Sequence, residues 1–355
     1  MGKLTTYERI KRMYEHREAD RIPIFDSPWT ATIKRWQREG MPEGMDYRDF
    51  FQLDHIATIE VDNSFQYPYK LIEETEDYII YTSKWGVTQK EWKNANSTPE
   101  FLDYTVVDED SWLKVKDKMT PDRDRINWKY LESNYKKWRE QGWWIEGLLW
   151  FGFDVTHSWM VGTERLLFAL LENPEWCMDM FNHFLDVNIK LLDMVWDAGY
   201  KFDSVVWLDD MGYKHNQFFS LKTYREVLKP AHKKAIDWAH SKGVKVRLHS
   251  CGDINPLLPD LVEMGIDALN PIEVKAGMDP VGLKEKYGDR LVLHGGVDAL
   301  LWDDLDKLEE ELRRIVPILK EKGGYIFSTD HSIPSNVSLE DFRYITDLIK
   351  DIGSY

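Results

Sequence analysis

The chain has 355 residues, 43% of them hydrophobic, and a formal net charge of −16. That length can bury a sizeable core, and so acidic a balance argues against non-specific binding to nucleic acid or to an anionic membrane. No apolar run is long enough to span a bilayer and the N-terminus does not read as a signal peptide, so a soluble cytoplasmic protein is expected.

In chain order, short apolar runs alternate with longer amphipathic stretches. Residues 22–25 form the first strand candidate, ending at Asp26, and 55–60 the second, ending near Asp62. Residues 144–150, 204–208, 245–248, 268–271, 291–294 and 325–328 supply six more. Helical patterns lie between them at 164–171, 175–196, 221–242, 254–264 and 303–322. Pro174 suits a first helical turn, and Gly199, Gly243 and Gly265 suit helix ends. Strand and helix alternating eight times predict a (β/α)8 barrel, a TIM barrel of class α/β, spanning 1–355 as one domain. A doubly wound open sheet is the runner-up, disfavoured because no strand runs into a Gly-x-Gly-x-x-Gly loop. Residues 64–141 are too long for one crossover. They are expected to form an inserted elaboration after the second strand, a lid or wall. Within it a hairpin is expected from 78–82 and 86–89, with a helical segment from Ser111.

Working residues of such barrels lie at the C-terminal ends of the strands. Those positions hold Asp26, Asp62, Asp209, Asp210, His249, Cys251, Glu273, Asp298, Asp330 and His331. Asp298 and Asp253 also suit helix N-caps. The chain has only two cysteines, so a disulfide framework is not expected; Cys177, inside a helical pattern, reads as a buried structural thiol. Cys251 is different. His249 and Cys251 leave a strand two residues apart, so both side chains point the same way and can meet at one point. Catalytic zinc takes three protein ligands and favours Cys and His. A third ligand must come from elsewhere: His331 first, with Asp209, Asp210 and Glu273 as competitors. His294 and the rings of Trp29 and Trp150, near strand ends, are candidate substrate contacts; the 16 tryptophans fit ring-lined pockets as well as a core.

Several pieces together resemble the uroporphyrinogen decarboxylase superfamily, which includes cobalamin-dependent methyltransferases. They are Arg21-Ile22-Pro23-Ile24, Gly162-Thr163-Glu164, Asn173-Pro174-Glu175, Asp209-Asp210, His249-Ser250-Cys251-Gly252-Asp253 and His294-Gly295-Gly296-Val297-Asp298. The resemblance implies a (β/α)8 barrel. True decarboxylases carry arginines after the first strand for their acidic tetrapyrrole, whereas residues 26–32 here hold none. The methyltransferase branch binds zinc at the His-x-Cys pair, with a cysteine after the last strand as third ligand; His331 stands at that place. The resemblance therefore implies zinc on His249, Cys251 and His331, with Asp209, Asp210 and Glu273 orienting ligands or handling protons. Two imidazoles and one thiolate leave zinc a formal charge of about +1, which favours an oxygen ligand and a donor-side reaction. The expected activity moves a methyl group from a small molecule, by preference a methoxylated aromatic, to the cobalt of a corrinoid on a separate protein, since no Asp-x-His-x-x-Gly stretch is present. The competing expectations are a metal-free decarboxylase or lyase, an acceptor-side methylcorrinoid:thiol transferase and a barrel used only for binding. A homodimer, with the insert over a neighbouring subunit, is compatible with the sequence.

Overall fold

The computed structural model describes residues 3–93 and 98–355. Seven strands, Ile56–Ile59, Trp144–Leu149, Ser204–Leu208, Lys245–His249, Ala268–Asn270, Val292–His294 and Tyr325–Ile326, pair in that order. Every pairing is parallel. The eighth stave is residues 22–25, which close the ring with little regular ladder. Ile24 bridges Phe327 in parallel. Phe25 N–H donates to Phe327 O, Phe327 N–H donates to Pro23 O, and Asp54 N–H donates to Ile24 O. Pro23 has no N–H to give, so the ladder there stays short. The result is a TIM barrel.

The helices follow the sequence pattern, with local breaks where proline dictates them. Pro174 opens the long helix Pro174–Asp197, capped by the Asn173 side chain. The 221–242 pattern is realised as Leu221–Thr223, one wider π turn at Tyr224–Leu228, and Lys229–Ser241. Pro230 cannot donate back into the preceding turn, which accounts for the loosened geometry. The helix expected from Ile254 begins only at Leu258, with Pro259 in its first turn. Asp298 caps a short 3-10 helix through Leu300 N–H, as its position suggested, whereas Asp253 caps a turn at Asn255 instead of a helix.

Between Ile59 and Trp144 the chain builds more than a hairpin. Tyr78–Thr82 does pair with Thr88–Trp92. Lys70–Glu74 and Glu100–Asp103 extend it into a four-stranded antiparallel sheet. The outer strand Lys70–Glu74 is exposed along its whole length, so no buried alternation marks it in the sequence. Helix Glu109–Lys116 starts at the Asp108 cap, just before the expected Ser111. The sheet is anchored by rings: Trp85 packs edge-on against Trp150 at 5.3 Å and stacks with Phe184 at 5.8 Å.

The barrel's N-terminal end is plugged by the first helix, Thr6–Tyr14. Its Ile10, Met13 and Tyr14 meet Ile56, Trp144, Ala268, Val292 and Ile326 in one apolar cluster. A buried charge network holds this plug to the closing stave. Asp54, fully buried, accepts from Arg9 and, at 2.7 Å, from Arg21, and takes Ile24 N–H at 2.8 Å. Burial alone would raise the Asp54 carboxyl, but Arg21 and Arg9 hold it below its ordinary value. Replacing it leaves the partly buried Arg21 without its carboxylate and the buried Arg9 with Asp20 alone, and removes the acceptor for Ile24 N–H. Asp54→Ala is therefore expected to cost about 3–5 kcal/mol in urea unfolding. A loss under about 1 kcal/mol would show that barrel closure does not depend on this network.

Candidate metal centre and pocket

Alternation along the Lys245–His249 strand turns Arg247 and His249 into the barrel, and the chain then bends at Ser250. His249 Nδ1 lies 2.6 Å from Asn270 Oδ1 on the adjacent strand. An acceptor oxygen there places the proton on Nδ1 and leaves Nε2 as a bare lone pair. That Nε2 is 3.6 Å from Cys251 Sγ and 3.9 Å from Asp210 Oδ1. Asp210, His249 and Cys251 each offer a ligand atom, all within 4.8 Å of one another. Ligands at zinc distances in a tetrahedral shell sit roughly 3.3–3.8 Å apart, so the donor set and its spacing fit a zinc ion with little movement.

The backbone around the cluster is interlocked. Asp209 N–H donates to His249 O. Cys251 N–H donates to Asp210 Oδ1 at 2.8 Å, and Gly252 N–H to Glu273 Oε2 at 2.6 Å. Gly252 has φ +82°, and a Cβ there would meet the Gly212 backbone at 2.1 Å. The glycine after Cys251 is thus required by close approach as well as by conformation. Burial, then Asp210 and Glu273, push the Cys251 thiol well above its ordinary value. Burial likewise raises Asp210. A divalent cation among the three donors would reconcile a buried thiol with the neighbouring carboxylates.

The other expected residues are distributed differently. His331 is exposed at the rim of the pocket, its ring 5.9 Å from Trp29, and is not part of the donor cluster. Asp330 binds Val274 N–H and Ala299 N–H, each at 2.9 Å, and Thr329 Oγ1 donates to His331 O, which turns this loop outward. A zinc ion held by Asp210 in place of His331 would carry two anionic ligands, and not the formal charge of about +1 expected for two imidazoles and one thiolate. Asp209 faces away from the pocket. It is fully buried and accepts from His232 Nε2 at 2.8 Å and Asp154 N–H at 2.7 Å, with Tyr224 Oη 3.1 Å from His232 Nδ1. Glu273 holds the Cys251 loop through Gly252. Trp150 is taken up by packing against Trp85 and Trp159, with Nε1 donating to Asp154.

Beside the cluster, the barrel mouth opens into a cavity of about 450 Å³. Phe25, Asp26, Trp29, Leu148, Leu208 and His331 form its walls, and Glu146, Arg247, Asn270, His294 and Ser328 its floor. Among the described residues, none of 64–141 lines it, so the insert is not its wall. The floor is polar and largely satisfied. Arg247 Nε donates to Glu146 Oε1 at 3.0 Å, and Ser204 Oγ donates to the same oxygen at 2.9 Å. Asn270 Nδ2 donates to His294 O at 3.1 Å while its oxygen orients His249. Asn270, His232 and the Glu146–Arg247 pair were not singled out from the sequence. Opposite charges at inward positions of two strand candidates were the available signal for the pair.

Known proteins resemble this chain in two ways. A family model described as uroporphyrinogen decarboxylase (URO-D) matches residues 155–352, more than half of the chain. The uroporphyrinogen decarboxylase of Staphylococcus haemolyticus is 26% identical over 219 residues, 59% of this chain and 56% of that protein. That of Nitratiruptor sp. is 26% identical over 88 residues, 25% of this chain and 24% of that protein. The match therefore spans little more than half the length of the first relative and a quarter of the second. Among solved structures, a methyltransferase from Methanosarcina mazei superposes with TM-score 0.66 at 16% identity, covering 98% of this chain and 99% of that one, which establishes a shared fold.

Asp26 on the cavity wall titrates near neutrality. Burial pushes its carboxyl up to about 6, although Thr329 and Ser27 donate to it. The native state then binds one more proton than the unfolded chain between about pH 4 and pH 6, so stability falls across that window and levels off above it. Asp26→Asn removes this contribution. Its stability relative to wild type, from urea midpoints, is expected to rise by about 2–3 kcal/mol from pH 4 to pH 7. A difference that stays constant with pH would show that Asp26 ionises normally.

Proposed function

The chain belongs to the uroporphyrinogen decarboxylase family, and from that premise we propose that it is a zinc-dependent methyltransferase. It moves a methyl group between a small molecule held in the barrel pocket and the cobalt of a corrinoid carried by a separate protein. The observation that carries this reading is the Asp210–His249–Cys251 donor cluster at the pocket mouth. The pocket also suits a small substrate better than a multiply anionic tetrapyrrole: Asp26, Glu60 and Glu146 line it, and its one arginine is paired with Glu146. A volume of about 450 Å³ matches a substituted aromatic ring. A methoxylated aromatic remains the preferred donor on the strength of that size and of the Phe25 and Trp29 rings.

Asp210, His249 and Cys251 would hold the ion. Zinc bound there supplies Lewis acidity toward the substrate heteroatom that gives up or takes the methyl group. The protein's own groups do the rest. Asn270 fixes His249 with Nε2 free, Glu273 and Asp210 hold the backbone of the Cys251 loop, and Asp209 with His232 braces the adjoining loop from behind. Asp26 can hold or release a proton beside the substrate near neutral pH. Phe25, Trp29, Leu148 and Leu208 keep water from the ring.

Metal analysis of the purified protein tests this directly. Stoichiometric zinc is expected in wild type and in His331→Ala, and less than a tenth of it in Cys251→Ser and Asp210→Ala. Asn270→Ala should weaken zinc binding about 10–100-fold while keeping the site. Cob(I)alamin should be methylated by a methoxylated aromatic, and a wild type purified without chelator that holds no metal would sink the proposal in favour of a metal-free decarboxylase or lyase. Turnover confined to methylcobalamin and thiols would reverse the direction.

A further inference from the structure

Three polar side chains sit in the helical layer behind the donor cluster, closed off from solvent. Asp209, His232 and Tyr224 are each fully buried. His232 is packed among rings, 4.6 Å from Trp207, 5.6 Å from Tyr224 and 5.8 Å from Phe151. Its helix, Lys229–Ser241, otherwise buries Ala231, Ala235, Ile236 and Ala239. A polar trio in so apolar a layer is costly unless its members bind one another.

These three bind in line, and the line has a direction. Tyr224 Oη lies 3.1 Å from His232 Nδ1 and has no other hydrogen-bond partner among the described residues, so the hydroxyl donates and Nδ1 accepts. His232 Nε2 then carries the proton and donates to Asp209 Oδ2 at 2.8 Å. Asp209 Oδ1 takes Asp154 N–H at 2.7 Å. A Cβ on Gly152 would meet Asp209 Oδ2 at 2.5 Å, so that loop closes directly over the carboxylate. Asp209 in turn begins the turn that carries Asp210. Its N–H donates to His249 O, and Met211 N–H donates to Ser250 Oγ at 3.0 Å. The backbone around Asp210 is thus pinned through Asp209 to the helical layer and through Met211 to the loop of Cys251.

Resting on the reading of the donor cluster as a zinc site, we propose that His232 is the positioning residue for its third donor. Through Asp209 it fixes the backbone that presents Asp210, and it does so from the helical layer without touching the ion. Without the imidazole, Asp209 is a buried carboxylate with one side-chain donor fewer and only Asp154 N–H left to it. A buried charge stripped of its partner is strongly unfavourable and is relieved by moving towards water. The 209–211 turn moves with it, Asp210 leaves its place beside Cys251, and the cluster falls to two protein donors.

Zinc affinity, measured by competition with a chromophoric chelator, reports on this without turnover. His232→Leu, which keeps the bulk, is expected to weaken zinc binding about 10–100-fold, and Tyr224→Phe about threefold. His232→Gln, whose amide N–H stands where Nε2–H stands, should keep affinity within about threefold of wild type. Cobalt(II) in place of zinc should give the intense visible bands of a four-coordinate site in wild type and His232→Gln, and weak ones in His232→Leu. Ile236→Ala, one turn along the same helix, removes packing only; it should lower the unfolding temperature and leave zinc affinity unchanged. His232→Asn, too short to reach Asp209, takes the place of His232→Leu should that variant not fold. Zinc affinity that survives in a folded His232→Leu overturns the inference. So does equal weakening by Ile236→Ala, or a folded His232→Gln as weak as His232→Leu. A wild type that takes up no zinc rejects the functional reading and this inference together; zinc held alike by wild type and His232→Leu rejects this inference alone.

Discussion

The ion pair between Glu146 and Arg247 divides the barrel interior in two. Below it lies the apolar layer of Ile56, Trp144, Ala268, Val292 and Ile326, sealed by the first helix. Above it the barrel is a pocket. Burying two charges is costly unless their remaining hydrogen-bonding capacity is used. Here Ser204 donates to Glu146, Trp144 Nε1 donates to Ser204 at 2.8 Å, and Arg247 reaches Asn270 at 3.4 Å. The pair is therefore the lower end of a chain of contacts that runs through Asn270 to His249 and so to the cluster with Cys251 and Asp210. A floor built of charges and amides, in place of another apolar layer, is what leaves a polar cavity instead of a filled core.

The ligand cluster is a property of two interlocked loops more than of one motif. The turn after His249 and the turn after Leu208 share hydrogen bonds and touch backbone to backbone at Gly212 and Gly252. That contact brings Asp210 to the thiol. Its neighbour Asp209 serves the opposite face, where His232 and Tyr224 bind it inside the helical layer. The two carboxylates thus face different surroundings: Asp210 lies beside His249 and Cys251, and Asp209 is held by His232 and Asp154 N–H. The insert stands apart from this arrangement, fastened to the barrel by Trp85, Trp150 and Trp159.

Much of the fold was legible because a barrel repeats one rule. Apolar runs bounded by Pro, Gly and Asp mark staves, and seven of the eight expected runs form regular parallel strands. The eighth is reduced to a bridge because Pro23 removes a donor. His249 and Cys251 were legible as half of a site because side chains two residues apart share a side. The same period, carried on from Val206 and Leu208, points to Asp210 over Asp209. It stops working at the last stave, where regular pairing ends at Ile326 and the loop carrying His331 is steered by Asp330 and Thr329.

The sequence by itself determined the alternation of strands and helices, the absence of arginines from residues 26–32 after the first strand, and the pairing of one imidazole with one thiol at a strand end. These are local, set by periodicity and residue chemistry within a few positions. The nearness of Asp210 to His249 and Cys251, the tautomer of His249 and the unpartnered atoms of His294 and Ser328 were decided only by tertiary structure. Each depends on which strand lies beside which and on how deep an inward side chain sits. Asp210 is 41 positions from Cys251 and Asn270 21 from His249, and they become neighbours only when the strands pair.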